Sequence, residues 1–355
     1  MIGISLLTLV PRLSGGSETY ARELCRALAR VGALQYRVFV PAIAPDASDG
    51  LPWSVVGGYR ASRAMPGRIA AMSLAALRPG PLRRELELDR LDAIHFPLSV
   101  MLPPVAELPA ATTVLDLQHE QHPEFFGRAE LTYRKLVYGR TIRRSQIVVT
   151  ISEHAREALL ARYGLAQDRV RAIHLGVDHD VFTPGDNVSR GRFLLYPARP
   201  WPHKNHARLF EAFARLRGER PELRLVLTGE GDFGALPDNV EARGRVSRDE
   251  LVDLYRRASA LVFPSLYEGF GMPVLEAMAC GCPVACSNAT SLPEVAGEAA
   301  RLFDPLDVDE IGAAFADVLD EPEPWVARGL ERAKGFTWDA CARAHEGVYR
   351  ELSSR

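Results

Sequence analysis

The stretch 260–276, Ala-Leu-Val-Phe-Pro-Ser-Leu-Tyr-Glu268-Gly-Phe-Gly271-Met-Pro273-Val-Leu-Glu276, leaves the chain few folds to choose from. Its short apolar start predicts a buried parallel strand. Pro273 suits the first position of a helix, where the N–H it lacks would be unpaired anyway. The order is therefore strand, glycine loop, helix start. Backbone N–H groups of Phe270, Gly271 and Met272 are then expected at the positive end of that helix, open to a polar or anionic ligand because the glycines carry no side chain. Glu268 enters the loop and Glu276 falls in the first helical turn. A carboxylate in either place can accept hydrogen bonds from two neighbouring hydroxyls, as on a ribose or hexose ring. Taken singly, Glu268 also reads as a solvated loop acid, and Glu276 as an acid favouring a helix N-terminus.

The rest of the chain repeats this alternation. Segments 2–7, 36–41, 92–97, 112–117, 146–151 and 170–175 predict strands of one doubly wound α/β domain. Segments 193–198, 223–228, 260–264, 284–287 and 301–304 predict those of a second. Tyr20, Leu24, Leu28 and Val31 fall at helical spacing after Ser14-Gly15-Gly16-Ser17, with Ser17 the expected cap and Gly32 the stop. That glycine pair is not Gly-x-Gly-x-x-Gly, so a dinucleotide fingerprint is absent, and a tight turn and a ligand loop both remain open. Helices are also expected at 206–216, 249–257 and 338–352, and Ser152 is a second expected cap. The most linker-like stretch, 184–191, divides the chain into residues 1–185, residues 186–337 and a closing helix in 338–355.

A chain of 355 residues, 47% apolar and 25% charged, has room for two cores and is ordinary for a soluble protein. No apolar run approaches the roughly 20 residues of a membrane-spanning helix. Residues 1–11 lack a basic leader, so the expected location is cytoplasmic. Five cysteines without a secretory signal are expected to be free thiols, and Cys280, Cys282 and Cys286 do not make a zinc site. The net charge of −2 hides an asymmetry: 22 Lys+Arg face 18 Asp+Glu up to residue 185, and 21 face 27 beyond it. Within 59–84 lie six arginines and no acid. That stretch reads either as a solvated helix face or as a patch that touches anionic membrane.

Two loops at strand ends carry polar chemistry. Asp116-Leu-Gln-His119-Glu-Gln-His122 follows a predicted strand, where sheets of this kind place ligands. Arg199-Pro-Trp-Pro-His-Lys204 follows another. Its prolines oppose helix, and a guanidinium and an ammonium five positions apart can converge on one pyrophosphate.

Together these segments resemble the retaining glycosyltransferases of the GT-B fold, specifically glycosyltransferase family 4. Glu268 and Glu276, with seven residues between them, match its Glu-x7-Glu signature, and Arg199 and Lys204 match its Arg-x4-Lys pair. Gly15-Gly16, the His119 loop, Gly229-Glu-Gly231, Gly244-Arg-Val246 and Gly176-Val-Asp178 fit its further motifs. The resemblance implies two Rossmann-like domains facing across a cleft, with a last helix crossing back to the first domain. It implies donor contacts from Gly16, Arg199, Lys204, Gly229, Val246, Glu268, Phe270, Gly271, Met272 and Glu276. Catalytic roles would fall to His119, Glu268, Arg199 and Lys204, without a cofactor or metal. The implied reaction moves a hexose from a nucleotide diphosphate sugar, GDP-mannose first and a UDP-hexose second, to a saccharide or lipid-linked acceptor in bacterial polysaccharide assembly. A small-molecule acceptor, a retaining glycosidase using Glu268 and Glu276, and a non-catalytic sugar-binding protein are the other readings. The diphosphate grip speaks against the last two.

Overall fold

The computed structural model describes residues 1–11, 15–185 and 188–354, with the backbone alone at Met65. It divides into two compact units, Met1–Gly176 with Trp338–Arg355, and Val177–Thr337. The first holds a seven-stranded sheet of β1 (Ile2–Ser5), β2 (Tyr36–Pro41), β3 (Trp53–Val56), β4 (Ala93–Phe96), β5 (Ala110–Thr113), β6 (Ile147–Thr150) and β7 (Val170–Ala172). Every pairing is parallel, in the order 3-2-1-4-5-6-7. The second holds β8 (Phe193–Pro197), β9 (Arg224–Thr228), β10 (Val240–Ala242), β11 (Ala260–Phe263), β12 (Val284–Ser287) and β13 (Arg301–Phe303), all parallel, in the order 10-9-8-11-12-13. Both are doubly wound sheets whose strand order reverses once, beside β1 and beside β8.

Apolar runs mark the buried strands and two of the four edge strands, β7 and β13. β3 and β10, unexpected from the sequence, are edge strands with exposed residues such as Trp53 and Glu241. The expected strand at 112–117 lies earlier, at Ala110–Thr113. Val114 and Leu117 are apolar because they pack in a cluster with Ile142, Val148, Leu159 and Val170 beyond the strand end.

Caps also differ. The first helix spans Gly16–Val31 with Gly15 at the cap position and no side-chain cap, so Ser17 lies inside it; Ser14 falls outside the described residues. Ser152 does cap Glu153–Tyr163, accepting the Ala155 N–H at 3.2 Å. The first unit ends at Gly176, ahead of the linker-like stretch, of which Asp186 and Asn187 are not described. Residues after Gly176 pack on the second unit: Val177 N–H donates to Phe336 O, Phe182 meets Tyr255 edge-on, and Arg256 holds Thr183.

The closing helix, Trp338–Ser353, packs on the first unit through a buried polar chain. His345 Nδ1 lies 2.8 Å from Cys341 O, so Nδ1 carries the proton and Nε2 accepts from the Tyr20 hydroxyl. Tyr20 must then accept from Thr113, and Thr113 from His95 Nε2–H, leaving His95 Nδ1 to accept from Tyr349. One direction of donation satisfies every member with both imidazoles neutral. Burial holds His95 well below the usual histidine range and His345 down to about 4. Glu346 adds two hydrogen bonds, from Ala33 N–H and Tyr36.

Candidate active site

In open sheets of this order, ligands bind at the carboxyl ends of the strands where the order reverses. In the second unit that point lies between β8 and β11, and the loops leaving them carry Arg199–Lys204 and Glu268–Met272.

The β8 loop is held rigidly. Asn205 takes a left-handed conformation at φ 60°, and its amide donates to Pro264 O at 3.0 Å and Pro305 O at 2.7 Å. Tyr196 donates to Lys204 O at 2.7 Å, and Leu266 N–H to His203 O at 2.8 Å. Lys204 is thereby fixed at its backbone. Its ammonium pairs with Glu268 Oε1 at 2.5 Å and lies 5.3 Å from the Phe263 ring centroid, and both side chains of the pair are only 13% exposed. Arg199, a third exposed, pairs with Glu230 at 3.3 Å and lies beside the Trp201 ring. Arg199 and Lys204 thus stand in one loop, each facing a carboxylate.

The neighbouring loops close onto this one. Gly229 has φ 125°, and a Cβ there would meet Arg199 N at 2.9 Å, so only glycine lets the β9 loop lie against the β8 loop. Its N–H donates to Gly244 O at 2.7 Å, joining the β10 loop that carries half-buried Val246. Ser247 then caps Arg248–Arg257, accepting the Glu250 N–H.

Beyond β11 the expected helix forms as Met272–Ala279, with Pro273 in its first turn. Gly271 is its cap, at φ 106°, where a Cβ would strike Leu292 Cδ2 at 2.6 Å. The first N–H groups of such a helix have no intrahelical partner. Ser291 donates to Glu268 O and Phe270 O, and Thr290 accepts the Glu268 N–H, so the loop is shaped from the β12 side. Glu276 accepts from Tyr255 at 2.9 Å, and burial raises its carboxyl to about 7. Glu230, Tyr255, Thr290 and Ser291 were not singled out from the sequence. Glu230 sits inside a motif that was, whereas nothing in the spacing of Tyr255 points to Glu276.

Gly16 and His119 belong to the first unit. Gly16 is exposed at the start of its helix. His119 lies in the short helix Gln118–Gln121, fully buried, flanked edge-on by Phe126 and Tyr138. Neither ring nitrogen has a hydrogen-bond partner among the described residues, and burial lowers its pKa. His122 instead pairs with Glu124 and stacks on Phe125.

No group of three His, Cys, Asp or Glu suited to a metal ion occurs among the described residues. The chain, read as having no Asp-x-Asp motif, holds two such triplets, Asp178–Asp180 and Asp307–Asp309, and both serve local structure. Asp178 pairs with Arg248 and accepts the Asp180 N–H, while Asp307 caps the helix Val308–Asp320. All five cysteines are buried free thiols.

Two doubly wound units in one chain, the second with cations and carboxylates at its switch point, are the architecture of the GT-B fold. The chain belongs to glycosyltransferase family 4. The family pattern described as Glycosyltransferase Family 4 matches residues 14–181, and that described as Glycosyl transferases group 1 matches residues 183–329. O-antigen chain mannosyltransferase B of Escherichia coli is 31% identical over 290 residues, 74% of this chain and 76% of that protein. The MMP alpha-(1->4)-mannosyltransferase of Mycolicibacterium hassiacum is 34% identical over 233 residues, 61% of this chain and 56% of that one. Sucrose-phosphate synthase from Thermosynechococcus elongatus shares the fold with a TM-score of 0.79 at 21% identity, covering 99% of both chains. Family membership removes the glycosidase and non-catalytic readings.

Proposed function

We propose that this glycosyltransferase moves mannose from GDP-mannose to a saccharide or lipid-linked acceptor of bacterial polysaccharide assembly, with retention of anomeric configuration and without a metal ion. It would work in the cytoplasm, at the inner face of the membrane. The observation that carries the proposal is the cation pair in the β8 loop, with Lys204 held beside Glu268 at the switch point. As the glycosidic bond breaks, negative charge gathers on the departing diphosphate. Arg199, Lys204 and the N–H groups that open the helix Met272–Ala279 would stabilise that charge where it develops. Glu276 and the backbone around Val246 and Gly229 would hold the nucleoside, and Glu268, Phe270, Gly271 and Met272 the sugar and phosphates. In the proposed mechanism the acceptor attacks the face the diphosphate leaves, and the leaving phosphate takes the acceptor's proton. Both mannosyltransferase relatives favour mannose as the transferred sugar.

Thermal shift tests the donor, because a ligand that binds only the folded state raises apparent stability. GDP is expected to raise the midpoint more than UDP; the reverse order would favour a UDP-hexose donor. Turnover of GDP-mannose should persist in excess chelator, since side chains and backbone supply the positive charge, and NMR of the product should show the donor's α configuration. A strict demand for Mg²⁺ or Mn²⁺, or an inverted product, would refute those parts of the proposal.

His119 is expected to meet a hydroxyl of the sugar; because its ring is fully buried here, that contact requires the side chains covering it to shift when the donor binds. An unpaired buried polar group costs about 1–3 kcal/mol, so His119→Leu should keep or raise the melting temperature while turnover falls at least tenfold. A destabilised variant with normal turnover would make His119 a structural residue.

A further inference from the structure

We propose that the first unit binds the apolar chain and phosphate head of a lipid-linked acceptor in the cavity beside the helices Met65–Leu77 and Arg128–Arg144. This rests on the reading of the acceptor as lipid-linked. The cavity measures about 720 Å³, within the range of small-molecule sites. Met72, Met101, Leu102 and Val137 give it an apolar lining. Lys135, Arg140, Arg143 and Arg144 also line it, all exposed, and no acid does. Lys135 has Glu120 at 4.0 Å, whereas Arg140 and Arg144 have no ion-pair partner among the described residues. The same two helices expose Leu77 (81%), Leu136 (68%) and Leu74 (60%).

These features select the occupant. A bare phosphate would satisfy the cations and leave the apolar lining wet, and a neutral chain would do the opposite. A molecule with one apolar chain and an anionic head satisfies both, the chain by burial and the head by charge-assisted hydrogen bonds from guanidinium groups. A second copy of this chain fits poorly, because a two-fold contact would set these cations against their own kind. A flat bilayer contact needs no cavity of about 720 Å³, although the exposed leucines would bring the site to the membrane surface, where such acceptors reside.

Farnesyl phosphate is a soluble probe of this chemistry. Calorimetric titration of the full chain is expected to show saturable binding, at least tenfold weaker for farnesol and for inorganic phosphate. Ala76→Phe, which fills the cavity from an exposed helical position, and the double variant Arg140→Glu/Arg144→Glu should each weaken farnesyl phosphate at least tenfold while GDP or UDP binding is unchanged. Lys204→Ala should leave farnesyl phosphate binding intact. Binding that both cavity variants retain, or that Lys204→Ala abolishes and nucleotide competes away, would overturn the proposal. So would binding to anionic phospholipid vesicles with no saturable binding of the probe, or loss of the probe's site in a dimer. Nucleotide binding without probe binding would overturn this site alone, whereas absence of both would overturn the glycosyltransfer reading as well.

Discussion

Lys204→Ala is expected to cut transfer by about 10²–10³-fold in a chain that still folds, with a melting temperature lowered by the Glu268 carboxylate left without its partner. The size follows from removing one preorganised charge aimed at a developing anion in a site that excludes much of the water. Two features put Lys204 ahead of Arg199. Its carbonyl is pinned by Tyr196 and its neighbours His203 and Asn205 by Leu266 and Pro264, and its ammonium is 13% exposed, against 33% for Arg199. A smaller loss is therefore expected for Arg199→Ala. Removing Lys204 also strands Glu268, so Lys204→Ala and Glu268→Gln should combine to much less than the sum of their separate losses, the signature of residues acting as a unit. Steady-state rates for the four proteins of that cycle are the measurement. Near-normal turnover in Lys204→Ala, or full additivity, would remove the pair from the chemistry.

Stability is expected to fall steeply as pH drops from 6.5 to about 5. In the unfolded chain histidine titrates near 6.5, whereas folding holds His345 and His206 down to about 4 and His95 well below its usual range. Folded pKa values below the unfolded ones mean that the unfolded chain takes up protons first. The stabilising contribution is whole above pH 6.5 and drains away as pH falls toward the folded values, at about 1 kcal/mol per pH unit for each fully buried ring. The cause in the His95–His345 chain goes beyond burial. His95 Nδ1 and His345 Nε2 are already acceptors for Tyr349 and Tyr20, so an added proton would set donor against donor. Glu276 works the other way: raised from its usual value to about 7, it favours the folded state as pH falls below 7 and offsets one ring. With both rings of the closing-helix network on one side, the net slope remains acid-destabilising. Urea midpoints at pH 7 and pH 5 measure it, and His345→Gln should flatten the slope. A midpoint that holds or rises on acidification would contradict the neutral-imidazole network.

What the sequence determined by itself is what short-range periodicity and backbone exceptions encode. Buried parallel strands such as Tyr36–Pro41 and Val284–Ser287 are legible to the residue because all but one side chain in each, Arg37 and Ser287, is apolar. The Gly271–Pro273 helix start is legible because glycine and proline have positional meanings that do not depend on the rest of the fold. The Arg199–Lys204 loop is legible because charges after a strand end are placed by the sheet. Edge strands β3 and β10 were not: they are four and three residues long and mostly exposed, too short for periodicity to mark them. Tertiary structure alone decided which groups face one another. Lys204 meets Glu268 across 64 residues, Tyr255 reaches Glu276 from a different helix, and Tyr20 joins His345 across 325. The tautomers of His95 and His345 follow only from that closed chain of donors and acceptors. Such pairings depend on the return of distant segments to one place, which local spacing does not record. The same holds for the domain limit: composition drew it at a linker, and packing moved it to Gly176 because Val177, Phe182 and Thr183 find their partners on the second unit.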